Sequence, residues 1–186
     1  DYFFDLCDEY GFIVFMDLMF ACASYPYDKE FYDGVEHELK DNLSRIRHHA
    51  SLGLISGNNE IEEECASWSD EDRKGYLKFF EKFVPKIVKR LCPDTSFVTS
   101  SPSTHGKFED TQGETGGDNH YWSVWHGNFP FAEYRNHYFR FLREFGFQSF
   151  PCFKTVEKFT AEKDRNPFGR VMELHQRSPF ANGKIL

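Results

Sequence analysis

The sequence predicts an α/β fold built on parallel strands, because short apolar runs alternate with longer amphipathic segments along its 186 residues. The runs predicted to form strands are, in chain order, residues 12–16, 52–56, 96–100, 120–125 and 138–145. An open doubly wound sheet and a (β/α)8 barrel both fit this alternation. No glycine-rich phosphate turn follows the first run, and polar residues follow several runs, which favours the barrel. The runs are nevertheless fewer than the strands of a complete barrel.

The first part of the chain is predicted to contain two helices around a buried strand. Residues 1–10 form the end of a helix that Gly11 closes, since glycine readily adopts the left-handed conformation found after helix ends. The uninterrupted apolar run 12–16 indicates a strand buried on both faces. From Phe31 to about His48, apolar residues recur at helical spacing, which indicates an amphipathic helix.

The remainder is predicted to contain a further long helix, a long loop and a short helix. Ser69 precedes three acidic residues, an arrangement typical of a helix start. Pro85 interrupts the apolar periodicity that follows, so we expect a kink or a break there. Residues 101–119 are rich in Gly, Ser, Thr and Asp, and loops of this length are commonly functional or mobile. Thr155 is predicted to cap a helix that begins with residues 155–159.

Composition and charge exclude several classes of protein. A net charge of −8 argues against a nucleic-acid partner, which requires a basic surface. No apolar run approaches the roughly 20 residues that cross a bilayer, so no membrane partner is expected. The five cysteines form no Cys-x-x-Cys pair, which favours buried free thiols over disulfides or a zinc site. HExxH, P-loop and GxSxG patterns are also missing, which argues against metalloproteases, nucleotide-binding proteins and serine hydrolases.

Two glutamates stand out because each follows or ends a predicted strand. Glu60 comes directly after the second strand, and Glu144 lies at the end of the fifth. A pair of carboxylates at strand ends fits glycoside hydrolysis, in which one donates a proton and the other acts as nucleophile. A solvated surface position remains the alternative for each. The acidic run Glu62–Glu64 is interpreted as a solvated face, and the aromatic segment 120–126 as either core or a platform for a sugar ring.

Four segments occur in an order and spacing that resemble a known family. They are Asp17-Leu18-Met19-Phe20-Ala21-Cys22, Gly57-Asn58-Asn59-Glu60, the run His120–Gly127 (HYWSVWHG), and the run Glu144–Pro151 (EFGFQSFP). Together they resemble the catalytic barrel of the β-mannosidases of glycoside hydrolase family 2, over nearly the whole chain. The resemblance implies a partial TIM (β/α)8 barrel that contains strands three to seven with their helices. It also implies that residues 1–186 form a single partial catalytic domain, incomplete at both ends and without the family's β-sandwich domains.

The resemblance implies a role for individual residues. Glu60 matches the acid/base, and Glu144 matches the nucleophile. The residues that match substrate-binding positions are Asn59, which hydrogen-bonds the sugar 2-hydroxyl in the family, Trp68, Tyr121, Trp125 and His126. The family commonly has Ser where this chain has Arg143, and Trp where it has Ile55. Since side chains alternate along a strand, Arg143 is expected to point away from the barrel interior.

The implied reaction is the retaining removal of terminal β-D-mannose from the non-reducing end of β-mannosides. The implied substrate is a β-mannoside oligosaccharide or glycoconjugate, and neither a metal nor an organic cofactor is required. Two alternatives remain, namely an inactive fragment with a residual sugar-binding patch and a related family 2 β-glycosidase of other specificity. The rest of the parent chain is an expected partner, and exposed strand edges predict self-association of the fragment. The segments resemble the bacterial members most, which favours a bacterial cytoplasm or periplasm over a lysosome.

Overall fold

The computed structural model of the protein describes residues 2–178 and 181–185. The chain separates into two compact units. The first contains the residues up to Tyr121 together with Tyr134–Glu144, and the second contains Trp122–Glu133 with the residues from Phe145 onward. In residues 2–178 and 181–185, no helix is both long and apolar enough to cross a membrane.

Helices and strands alternate over most of the described chain. The α-helices are α1 (Tyr2–Tyr10), α2 (Lys29–Ile46), α3 (Ile61–Cys65), α4 (Asp70–Lys78), α5 (Val84–Leu91), α6 (Phe153–Phe159), α7 (Arg170–Leu174) and α8 (Ala181–Ile185). The strands are β1 (Val14–Asp17), β2 (Leu52–Ser56), β3 (Ser96–Val98), β4 (Asn119–Tyr121) and β5 (Leu142–Phe145). A π-helical segment, Phe79–Phe83, joins α4 to α5, and short 3-10 helices span Phe131–Arg135 and Glu162–Asp164.

Strands β1, β2 and β3 form a parallel sheet in that order, and β4 pairs with β5 in a second sheet of two strands. Asp17 at the end of β1 is level with Ser56 at the end of β2, and Ser56 is level with Val98 of β3. The carboxyl ends of the three parallel strands therefore meet at one edge. The predicted α/β class with parallel strands is confirmed.

The first predicted strand is shorter and less buried than expected. Gly11 adopts a positive φ of +71°, its N–H bonds to the Asp8 carbonyl, and the Phe12 N–H bonds to the Cys7 carbonyl. These are the bonds of a Schellman motif, so the predicted closure of α1 at Gly11 is confirmed and Phe12 belongs to the helix end. Pairing with β2 starts only at Val14, and Ile13 is 84% exposed. The prediction of a strand buried on both faces is wrong for this reason.

The core of the first unit lies between the parallel sheet and its helices. Helix α2 directs Val35, Leu39, Leu43 and Ile46 inward, which confirms its predicted amphipathic pattern. Ser69 caps α4 as predicted, because its Oγ accepts a hydrogen bond from the Asp72 N–H. Pro85 lies in the first turn of α5, directly after the π-helical segment. The predicted interruption therefore occurs as a π-helical segment, and Pro85 occupies a first-turn position that needs no N–H donor.

The later strands and the helix that follows also differ from the predictions. Strand β4 ends at Tyr121, because the chain turns at Trp122, whose carbonyl accepts a hydrogen bond from the His126 N–H. Helix α6 begins at Phe153, so Thr155 lies inside it and the predicted cap at Thr155 is wrong. All five cysteines are free as predicted, although only three of them are buried, namely Cys7, Cys65 and Cys92.

Candidate active site

The chain segment after β2 is held between the segments that follow β1 and β3. The Asn59 N–H donates to the Phe20 carbonyl at 2.9 Å, and the Glu60 N–H donates to the Ser101 carbonyl at 2.8 Å. Asn59 also forms isolated parallel bridges to Ala21 and Ser101. These bonds extend the sheet by a few residues beyond its regular strands and fix the backbone that carries Glu60.

Asn58 holds this turn together through its side chain. It is fully buried, and its Nδ2 donates to the Thr99 carbonyl at 2.9 Å. Its Oδ1 accepts hydrogen bonds from the Ile61 N–H at 3.0 Å and the Ser100 hydroxyl at 2.7 Å. One amide thus connects the end of β2, the start of α3 and the segment after β3. Sequence reasoning assigned Asn58 no role of its own, because neither Thr99 nor Ser100 is near it in the chain.

Glu60 adopts a backbone conformation that is uncommon for a residue with a side chain. Its φ is +61° and its ψ is 3°, which is the left-handed region. Such a conformation typically costs about 1–3 kcal/mol and persists where surrounding bonds impose it. Here the bonds of the Asn59 and Glu60 amides impose it, and the turn directs the Glu60 carboxylate toward the residues of β4 and β5.

The structure brings the two predicted glutamates together around a histidine. The His120 side chain is fully buried, and its Nδ1 lies 2.7 Å from Glu60 Oε1 and 3.5 Å from Glu144 Oε2. One carboxylate oxygen of each glutamate and a ring nitrogen of His120 all lie within 4.8 Å of one another. Glu60 and Glu144 remain 20% and 31% exposed, so solvent reaches both. Both side chains are nevertheless mostly buried and contact His120, so neither occupies a fully solvated surface position.

Hydrogen bonds on the far side of His120 determine which ring nitrogen carries a proton. Its Nε2 lies 3.1 Å from Ser101 Oγ. The Ser101 hydroxyl donates to Asp118, and Arg143 donates to Ser101 Oγ. Because a hydroxyl has a single proton, Nε2 must be the donor to Ser101. Nε2 is therefore protonated, and Nδ1 is the ring atom that faces the two carboxylates.

Arg143 points toward the strand ends, so the prediction that it points away is wrong. Its Nη2 lies 2.5 Å from Asp17 Oδ2, and its guanidinium lies 4.0 Å from the centre of the Phe15 ring. A mostly buried guanidinium requires an anion, and Asp17 at the end of β1 supplies it. Asp118 is a second acidic neighbour, with its Oδ2 3.9 Å from Arg143 Nη1. Arg143 thus links β5 to the end of β1 directly beside Glu144.

Cys22 contacts Glu60 directly, although sequence reasoning treated it only as a free thiol. Its Sγ donates to Glu60 Oε2 at 3.2 Å, and the Asn59 Nδ2 lies 3.7 Å from the same sulfur. Burial, together with the Glu60 carboxylate, raises the pKa of the Cys22 thiol to about 11. The thiol is therefore protonated at neutral pH. Among the described residues, Asn59 Oδ1 has no hydrogen-bond partner, which leaves an amide oxygen beside Glu60.

The other predicted sugar-binding residues lie in three different surroundings. The Tyr121 ring packs against His137 and Phe139, with ring centres 4.5 and 5.4 Å away. Trp68 is half-buried and packs against the hydrophobic core of the first unit. Trp125 and His126 belong to the second unit, where the Trp125 ring lies 4.9 Å from Phe147. The predicted aromatic segment 120–126 is thus divided between the two units.

Glu62 is fully buried, so the prediction of a solvated face is wrong for this residue. Its Oε1 accepts hydrogen bonds from the N–H and hydroxyl of Thr104 and from the Gly106 N–H. Its Oε2 accepts a hydrogen bond from the Ser103 hydroxyl at 2.7 Å. Neutral donors compensate the buried charge. Glu62 therefore attaches the loop after β3 to helix α3, two residues from Glu60, and only the folded chain brings these donors to it.

Two groups of side chains among the described residues are arranged closely enough to hold a metal ion. One is Glu60, His120 and Glu144, and the other is Cys22, Glu60 and Glu64. Both include Glu60.

Comparison with known proteins gives close relatives. The chain is 36% identical to β-mannosidase B of Aspergillus terreus and 34% identical to β-mannosidase B of Aspergillus niger, each over 96% of this chain. The crystal structure of a β-D-mannosidase from Dictyoglomus thermophilum matches 98% of this chain with a TM-score of 0.88 and 33% identity. The chain spans 23% of the length of each of the two Aspergillus proteins and 22% of the Dictyoglomus protein. A scan against models of protein families gives no match.

Proposed function

Because the chain is homologous to the β-mannosidases over nearly its whole length, we propose that it carries the two catalytic carboxylates of a retaining β-mannosidase. The proposed substrate is a β-mannoside oligosaccharide or glycoconjugate, from which terminal β-D-mannose is removed at the non-reducing end. In this proposal residues 1–186 contribute strands three to seven of a (β/α)8 barrel of glycoside hydrolase family 2, and the rest of the parent chain is their partner. The parallel order β1-β2-β3, with polar side chains at the carboxyl edge, supports that assignment.

The observation that carries the proposal is the closeness of Glu60 and Glu144. Their nearest carboxylate oxygens lie within 4.8 Å. Retaining glycosidases separate the two carboxyl groups by about 5–5.5 Å, whereas inverting enzymes leave about 6.5–9.5 Å for a water molecule. The separation in this chain agrees with the retaining class.

In the first step of the proposed reaction, Glu144 attacks the anomeric carbon of the mannoside. A bond forms between that carbon and a Glu144 oxygen, the glycosidic bond breaks, and Glu60 gives its proton to the leaving oxygen. In the second step Glu60 takes a proton from water, the water oxygen bonds to the anomeric carbon, and Glu144 leaves as a carboxylate. Glu60 must therefore be protonated, and Glu144 ionised, when substrate binds.

The neighbours of Glu60 favour a single position for its proton. Cys22 donates to Oε2, while Oε1 faces the Nδ1 of His120 at 2.7 Å. Since His120 carries its own proton on Nε2, Nδ1 is able to accept a hydrogen bond from Oε1. A protonated Glu60 would thus carry its proton on Oε1.

Asn59 is proposed to bind the 2-hydroxyl of the mannose. Its amide adjoins Glu60, and its Oδ1 has no partner among the described residues. The 2-hydroxyl is axial in mannose, so a contact at this position contributes to discrimination between sugars. Trp68, Tyr121, Trp125 and His126 are proposed as further substrate-binding residues, because each matches such a position in the family.

The proposal is tested by hydrolysis of an aryl β-mannoside by the full-length protein. We expect Glu144→Ala to lose turnover by at least about a thousandfold, because the nucleophile is removed. We expect Glu60→Ala to retain part of its activity on substrates with activated leaving groups, and added azide to restore turnover by forming β-mannosyl azide. Near-normal hydrolysis by Glu144→Ala would reject the assignment.

Specificity is tested with the same protein on aryl β-mannoside, β-glucoside and β-galactoside. The proposal predicts that the mannoside has the highest kcat/KM. A higher value for either other sugar would assign the site to a different β-glycosidase activity.

A further inference from the structure

The arrangement of His120 between two carboxylates resembles the ligand set of a divalent metal site. Zinc bonds to histidine nitrogen and carboxylate oxygen at about 2.0–2.2 Å, so ligands on one ion lie about 3–3.6 Å apart. The distance from His120 Nδ1 to Glu144 Oε2 is 3.5 Å, and that to Glu60 Oε1 is 2.7 Å. Small rotations of the two partly exposed carboxylates would bring all three atoms to metal-binding distances.

The surroundings of His120 match those of a metal-binding histidine. Such histidines donate their second N–H to a carboxylate, a carbonyl or water, which fixes the ring and its tautomer. Here the Nε2–H donates to Ser101, whose own hydroxyl donates to Asp118. Nδ1 therefore faces Glu60 and Glu144 without any rearrangement of the ring.

Charge and access favour an ion at the same position. A divalent cation at this position would be balanced by the carboxylates of Glu60 and Glu144 once both are ionised. Imidazole with carboxylate suits zinc, whereas magnesium prefers octahedral oxygen ligands. Glu60 and Glu144 are both partly exposed, so an ion can enter from solvent.

We propose that Glu60, His120 and Glu144 bind a divalent transition-metal ion such as Zn²⁺, and that the bound ion inhibits the enzyme by competing with substrate. The ion would occupy both carboxylates, so Glu144 could not attack the sugar and Glu60 could not carry its proton. The inhibition rests on the proposed function, whereas the binding of the ion does not.

The competing arrangement is the second group, Cys22, Glu60 and Glu64. A thiol binds zinc as the thiolate. The Cys22 Sγ donates a hydrogen bond to Glu60 Oε2 at 3.2 Å, and this group would have to give up that bond to hold an ion. The two sites share Glu60 and differ in every other ligand, which allows variants to separate them.

The experiment measures the binding of Zn²⁺ to the metal-free full-length protein by isothermal titration calorimetry. We expect one ion per chain, with affinity lowered at least about tenfold in His120→Ala and in Glu144→Gln. Cys22→Ser and Glu64→Gln are the matched controls, and we expect them to bind Zn²⁺ within about threefold of the wild type. Glu144→Gln preserves the shape of the side chain, so its result stands even if His120→Ala disturbs the fold.

Each outcome separates the metal site from the proposed function. An absence of stoichiometric Zn²⁺ binding, or a loss of binding in the Cys22→Ser and Glu64→Gln variants alone, would overturn the metal site. Competitive inhibition of aryl β-mannoside hydrolysis, reversed by a chelator, would support the proposal in full. Binding that leaves hydrolysis unchanged would overturn the inhibition, and binding by a chain that hydrolyses no glycoside would reject the proposed function but keep the metal site.

Discussion

The Asn58 side chain offers a direct test of how the turn that carries Glu60 is held. The substitution Asn58→Leu keeps a similar side-chain volume but removes the amide. The Thr99 carbonyl, the Ile61 N–H and the Ser100 hydroxyl then lose their hydrogen-bond partner. A buried polar group without a partner costs about 1–3 kcal/mol, and the Ser100 hydroxyl can turn to another acceptor. The expected loss of local stability is therefore about 3–5 kcal/mol.

Hydrogen exchange followed by mass spectrometry measures this loss in the full-length protein. Since about 1.4 kcal/mol corresponds to a factor of ten, we expect amides in residues 57–61 and 99–101 to exchange about two to three and a half orders of magnitude faster. Asn42→Leu is the matched control, because Asn42 lies on the surface of α2 and makes a single bond to Arg45. We expect Asn42→Leu to leave exchange at the turn unchanged. Equal protection in Asn58→Leu and Asn42→Leu would refute the assigned role of Asn58.

Two further predictions concern ionisation. The pKa of the Cys22 thiol is raised to about 11, so we expect slow alkylation by iodoacetamide at pH 7 and a rate that rises with pH. Hydrogen bonding to Thr155 lowers the pKa of the exposed Cys152 thiol. We therefore expect Cys152 to be alkylated before Cys22. Mass spectrometry after timed alkylation compares the two, and equal rates at pH 7 would contradict the prediction. Hydrogen bonds from Ser51 and His49 lower the pKa of Asp8 from 3.8 to about 2, so these bonds stabilise the fold above pH 4 and lose their effect as the pH falls through 2. The difference in melting temperature between wild type and Asp8→Asn should therefore shrink from pH 5 to pH 2; a constant difference would show that Asp8 is not responsible.

Local patterns predicted the framework of the first unit. The left-handed Gly11, the apolar spacing of α2 and the cap at Ser69 are determined by neighbours within a few residues, and each was found where expected. Burial was predicted less well, because it depends on residues far along the chain. Ile13 is apolar yet exposed, whereas Glu62 is charged yet fully buried, since donors from residues 103–106 surround it.

The same distinction applies to the candidate site. Glu60 and Glu144 could be found from their positions at the ends of apolar runs, which local sequence shows. The residues that orient them could not be found in this way, because His120 contacts Glu60 across 60 residues and Arg143 contacts Asp17 across 126. A resemblance to a family indicates only what its members share. Because the family commonly has Ser at the position of Arg143, the resemblance gave no indication of an ion pair between Arg143 and Asp17.

The chemistry of the site depends on this contact network as much as on the two glutamates. Arg143 and Asp118 both bond to Ser101 Oγ, and this leaves only an acceptor site on that oxygen for His120. The tautomer of His120 follows, and with it the atom that faces Glu60 and Glu144. A substitution at Asp118 removes the acceptor of the Ser101 proton, which then bonds to Nε2, so the ring then carries its proton on Nδ1. In that tautomer Nδ1 would donate to Glu60 and favour its ionised form, which is the wrong state for a proton donor.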